Sequence, residues 1–102
     1  MTHVSLFVEL KARSGKEDEV AAFLASAQSL VATEPGTVAW FAVRFDSSTF
    51  AIFDAFGDEA GRDAHLSGRV AAALMAHADE LLATAPQIRK ADVLVDKLPG
   101  SR

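Results

Sequence analysis

Asp54, Phe56 and His65 are the residues whose types and spacing point most directly to chemistry. They fall within Thr49 to Leu66, TFAIFDAFGDEAGRDAHL, where an apolar strand carries one acid, a turn follows, and a short helix closes on a histidine. An imidazole titrates near neutral pH and moves protons, which makes His65 a candidate base. A histidine at a helix end also serves as a cap or as a hydrogen-bond partner across a dimer. A carboxylate on a largely covered sheet needs partners, and burial drives such groups toward acid–base roles, so Asp54 is a second candidate. Its structural alternative is an ion pair with Arg44 across a hairpin.

A second constellation lies earlier in the chain. Trp40 and Arg44 share one face of a strand with Ala42 between them. A small residue flanked by an aromatic and a cation suits the floor of a pocket for a flat ligand, with Phe56 as a further apolar wall. Interface packing is the alternative use of the same residues. His3, His65 and His77 show no metal-ligand spacing, and no glycine-rich loop follows a strand to cradle phosphate. The expectation is therefore a site with no metal and no cofactor.

Composition bounds the remaining choices. The chain has 102 residues, half of them hydrophobic, with a net charge of −4 and a pI near 5.2. This fits one domain and gives no electrostatic footprint for nucleic acid or an anionic membrane. There is no cysteine, so disulfides, thiol nucleophiles and thiolate metal sites are excluded. No apolar run approaches the ~18 residues of a membrane span, and MTHVSLFVELKARSG lacks the pattern of a secretory signal. A cytoplasmic protein is expected, with a single domain over 1–98 and a loose tail over 99–102.

The elements that must position these residues are legible from periodicity. Val4, Leu6, Val8 and Leu10 alternate with His3, Ser5, Phe7, Glu9 and Lys11 and predict a strand with one apolar face, Phe7 adding apolar area to the other. Ser14 and Glu17 have capping-box spacing, and Val20, Phe23, Leu24, Ala27 and Val31 predict a helix that Pro35-Gly36 stops. Thr37 to Phe45 and Thr49 to Phe56 predict an antiparallel hairpin around Asp46-Ser47-Ser48. Asp58 is an N-cap for a helix that Ser67-Gly68 interrupts. A following helix carries an apolar stripe from Val70 through Leu74, Ala78, Leu81 and Leu82 to Ala85, and Pro86 ends it. Gln87 to Leu98 predicts a last strand. The order β-α-β-β-α-(α)-β implies an α+β, ferredoxin-like fold with a four-stranded antiparallel sheet and helices on one face. The other face, rich in bulky apolar groups, predicts a homodimer packed through its sheets.

The run Ile52-Phe53-Asp54-Ala55-Phe56, then Asp58, Ala60 and Ala64-His65-Leu66, resembles the antibiotic biosynthesis monooxygenase superfamily. Element order, the Pro35-Gly36 helix stop and overall length agree, so the resemblance covers nearly the whole chain. It implies a dimeric α+β barrel with a small pocket in each subunit. Members include cofactor-independent oxygenases of phenols and quinols, haem-degrading enzymes and isomerases. Relative to the family pattern, Asp54 replaces glutamate and Phe56 replaces tryptophan. The chain has no tyrosine and no asparagine, so the site residues some oxygenase members use have no counterpart here. The haem-degrading members' strand-one asparagine is absent, and Met75 stands where their axial histidine belongs, with His77 two residues away. Two functions follow as expectations. One is cofactor-independent oxidation of a small electron-rich aromatic, with His65 as base and Arg44 as anion partner. The other is non-catalytic binding of a small hydrophobic ligand by a dimer of the same fold.

Overall fold

The computed structural model describes residues 1–99. Its elements are β1 (Val4–Lys11), α1 (Glu17–Val31), β2 (Thr37–Arg44), β3 (Thr49–Phe56), α2 (Glu59–Leu66), α3 (Arg69–Leu81) and β4 (Gln87–Asp92). The strands form one sheet in the order β2-β3-β1-β4, antiparallel at every step. This is the ferredoxin-like arrangement expected from the sequence. Among the described residues no helix is long and apolar enough to cross a membrane.

The helices cover one face of the sheet. Leu6, Val8 and Leu10 from β1 and Phe50, Ile52 and Phe56 from β3 are buried beneath them. Val20, Leu24, Ala27 and Val31 complete the core from α1, and Val70, Leu74 and Leu81 from α3. These are the residues the helical stripes predict. The opposite face carries a row in which Phe7, Phe53 and Phe41 stand directly abreast on β1, β3 and β2. Phe53 is 40% exposed and Phe41 55%.

Three local expectations are corrected. The capping box does not close: Lys16 holds the N-cap position with no side-chain bond. Glu17 accepts the amide of Gly15 at 2.9 Å, in place of the Ser14 amide that a capping box would give it. Gly15 takes φ +86°, a left-handed turn that delays the helix and moves Ser14 out of capping position. Helix α3 ends at Leu81 rather than Ala85, because Leu82 turns extended and bridges to Ala12. The last strand ends at Asp92 rather than Leu98, since beyond it only the Val93 amide continues the pairing, to His3 O at 2.8 Å. Of the expected tail, Gly100 to Arg102 lie outside the described residues.

Candidate functional site

Asp54 and His65 do meet. Asp54 faces the helices from the middle of β3 and is fully buried. His65 lies in the last turn of α2, also buried. Its Nε2 stands 2.9 Å from Asp54 Oδ2. Its Nδ1 is 2.6 Å from Glu34 Oε1, so the ring bridges two carboxylates. The Phe56 ring packs against the imidazole at 5.4 Å between centroids. Phe56 is therefore a wall of this cluster.

Backbone geometry brings α2 close enough for these contacts. Asp58 caps the helix, with Oδ1 accepting the Gly61 amide at 2.8 Å, as its position predicts. One turn of α2 then crosses the start of β2 glycine against glycine. A Cβ on Gly61 would stand 2.9 Å from Gly36 O, and one on Gly36 would stand 2.9 Å from Gly61 Cα. Only a pair without side chains allows this approach. Glu34, just before Pro35-Gly36, is brought beside His65 by the same crossing.

Burial opposes a charge on His65, but the hydrogen-bonding carboxylates of Asp54 and Glu34 outweigh it and hold the imidazole pKa above its usual value. Two carboxylates around one imidazolium leave a net charge of −1. The Thr37 hydroxyl helps support it by donating to Glu34 Oε1 at 2.8 Å. The second Glu34 oxygen lies by Gly68, at the start of α3, where the helix dipole favours negative charge. Apart from His65, no donor reaches either oxygen of Asp54 among the described residues.

The expected Arg44–Asp54 pair does not form. The hairpin register sets Asp54 opposite Trp40 and Arg44 opposite Phe50, so four residues, roughly 13 Å of strand, separate the two groups. Arg44 instead lies over the Phe50 ring at 4.8 Å. The shared floor of Trp40, Ala42 and Arg44 is likewise divided. Arg44 and Ala42 line a cleft of about 230 Å³ with Ala21, Leu24, Ala25 and Phe50. Trp40 lines another of about 190 Å³ with Gln28, Val31, Glu34, Thr37 and Val38. Among the described residues, five clefts have walls that do not include Asp54, Phe56 or His65.

Two polar residues, Glu34 half-buried and Arg62 buried, carry no signal in the sequence. Glu34 reads there as part of a helix stop, and no periodicity marks an acid beside Pro-Gly. Arg62 stands on α2 among exposed neighbours, yet it is buried, with its guanidinium donating to the carbonyls of Ser5 and Ala91 at 3.3 and 3.4 Å. Among the described residues no group of three or more histidine and acidic side chains is placed to hold a metal ion.

No protein-family model matches the chain, and no curated protein does. Solved structures do. A protein of unknown function from Nitrosomonas europaea is 56% identical, with 97% of this chain and 96% of that one covered and a TM-score of 0.95. The chain belongs to that protein's family. A second Nitrosomonas europaea protein, provisionally named an antibiotic biosynthesis monooxygenase, matches at TM-score 0.82 and 13% identity, over 90% of this chain and 99% of that one. A structure named as an antibiotic biosynthesis monooxygenase matches at 0.78 and 14%, over 90% and 99%. The antibiotic biosynthesis monooxygenase fold is thus shared across the domain, and the 13 and 14% identities carry the likeness no further than the fold.

Proposed function

We propose that the protein is a homodimeric, cofactor-independent monooxygenase of a small electron-rich aromatic. In this reading its proton-handling group is the chain Asp54–His65–Glu34. One observation carries the proposal: Glu34 belongs both to the buried charge cluster and to the wall of the cleft it shares with Trp40 and Thr37. Glu34 thus links the perturbed imidazole of His65 to a cleft, and perturbed groups beside a cleft are functional-site candidates. The names of the structural neighbours support the reaction class.

The role of His65 changes in this reading. Both its nitrogens are engaged and its charged form is favoured, so it is not a free base. Glu34 receives the proton instead. The resting cluster carries −1, and one proton on Glu34 brings it to zero. The substrate anion then passes an electron to dioxygen, and the radicals recombine in a C–O bond at a ring carbon. Glu34 returns its proton to the peroxide anion so formed, and loss of water, which takes the hydrogen of that ring carbon, leaves a carbonyl holding one oxygen atom from dioxygen. The protein supplies orientation and a place for the proton. The homodimer forms through the outer sheet face, where the Phe7–Phe53–Phe41 row gives an apolar patch.

Oxygen uptake by the purified protein over a panel of quinols is the test. Turnover in the wild type, cut by at least ~100-fold in Glu34→Gln with the fold intact, supports the proposal. Absence of turnover across the panel removes it. The second reading, a dimer that binds a small hydrophobic molecule without turnover, is favoured by the full engagement of His65. Ligand binding by the wild type with no oxygen uptake would select it.

A further inference from the structure

Three side chains keep a buried polar atom with no hydrogen-bond partner among the described residues: Trp40 at Nε1, Asp54 at Oδ1 and Arg62 at Nε. Buried donors and acceptors are nearly always paired, so each such atom calls for an explanation. Two of the three are complementary. An indole N–H can only donate, and an ionised carboxylate can only accept. They are also neighbours, since the hairpin register sets Trp40 directly opposite Asp54. Residues so placed have their Cβ atoms about 4.5–5.5 Å apart on one face of the sheet. Here that face is the helix side, where Trp40 packs against Ala27, Val31 and Val70 and Asp54 meets His65.

The other carboxylate on this side is already engaged, because Glu34 Oε1 takes both His65 and the Thr37 hydroxyl. Asp54 Oδ1 is the free acceptor nearest the indole in register. The two atoms do not bond directly, so a bridging group must span the gap. One water reaches about 5.5 Å between the atoms it joins, the length of two ordinary hydrogen bonds. Buried waters occupy polar sites of this kind, between groups that would otherwise go unpaired. We propose that one internal water joins the Trp40 indole N–H to Asp54 Oδ1, which makes Trp40 a positioning residue of the Asp54–His65–Glu34 chain.

The charged groups around this bridge are Asp54 from β3, His65 and Arg62 from α2, and Glu34 from the turn before β2. Arg62 is turned to the Ser5 and Ala91 carbonyls of β1 and β4. Helices α1 and α3 face the indole with apolar side chains, and the exposed Arg69 of α3 donates to Thr33 instead. Trp40 also lines the cleft of about 190 Å³ that Glu34 borders. Its ring therefore stands between that cleft and the buried carboxylate, so an occupant pressing on the ring is felt at His65. The proposal rests on the observed cluster and not on the activity assigned to it.

The chain has a single tryptophan, so one indole N–H signal reports on the bridge by nuclear magnetic resonance. In the wild type that proton should show a rotating-frame Overhauser cross-peak to a long-lived water. The ring protons of His65 are then titrated in the wild type, Trp40→Phe and Val70→Ala. Loss of a donor makes Asp54 a stronger acceptor, so the His65 midpoint should rise by about 0.5 pH unit or more in Trp40→Phe. Val70→Ala loosens the packing on the same indole, keeps its N–H, and should leave the midpoint in place. Absence of the water cross-peak overturns the bridge, even where Trp40→Phe fails to fold. An unchanged midpoint in Trp40→Phe also overturns it, as does an equal rise in Val70→Ala, which would assign the shift to packing. None of these readouts needs turnover, so failure of the monooxygenase reading and failure of the bridge are seen separately.

Discussion

Asp54 lies at the centre of the sheet with His65 as its one charged partner. Removing one member of a buried pair leaves the other uncompensated, which typically costs about 3–5 kcal/mol. Chemical denaturation of His65→Ala should show a loss in that range. Asp54→Leu with His65→Leu removes both charges and should recover most of it, because a packed apolar pair can match a buried ion pair. If the double variant is no more stable than His65→Ala, the pairing energy has been misassigned. The pH dependence follows from the raised pKa of His65. Its folded pKa lies above the unfolded value near 6.5, so its stabilisation is complete below that pH. It is lost as the pH rises through the folded pKa. Wild-type stability should therefore fall from about pH 6.5 upward, and His65→Gln should flatten that slope.

At the scale of elements, the crossing of Gly36 and Gly61 decides whether the cluster forms. Gly→Ala inside a helix normally gains up to about 1 kcal/mol. Here a new Cβ on Gly61 meets the Gly36 carbonyl at 2.9 Å, and that oxygen is backbone. The gain is outweighed by overpacking of about 1–3 kcal/mol, so Gly61→Ala should lower the melting temperature. A rise would show that α2 can slide away from β2 at no cost. The same crossing explains what the sequence could and could not reveal. Periods of two and near four residues marked β1, α1 and α3, since each buries one apolar face. Asp58 was readable as a cap because its bond is local. Asp54 and His65 stood out as polar residues in apolar or terminal positions. Their link to Glu34 joins three separate segments through a contact between two glycines, and no local pattern encodes that. The Arg44–Asp54 expectation failed for a related reason. It relied on the shared face without the register, and the hairpin placed Phe50 opposite the arginine.

At the scale of the molecule, one sheet face is filled by the helices and the other is left to the Phe7–Phe53–Phe41 row. A charge at the middle of that row would be desolvated on association with no partner. Phe53→Asp should sediment as a monomer while keeping its far-ultraviolet circular dichroism. A dimer that survives the substitution would move the interface elsewhere.

Helix α2 contributes only Arg62 and His65 as buried side chains, both of them cationic when protonated. It is held to the sheet by charge and by a backbone crossing, with little apolar burial of its own. Cooperative units with few buried apolar contacts open first in native-state hydrogen exchange. The amides of α2 should therefore exchange ahead of those of α1 and α3. The gap should widen with rising pH, beyond the intrinsic acceleration common to all amides. Titration of one histidine would thus unfasten one short helix of the protein while the rest of the core stays closed.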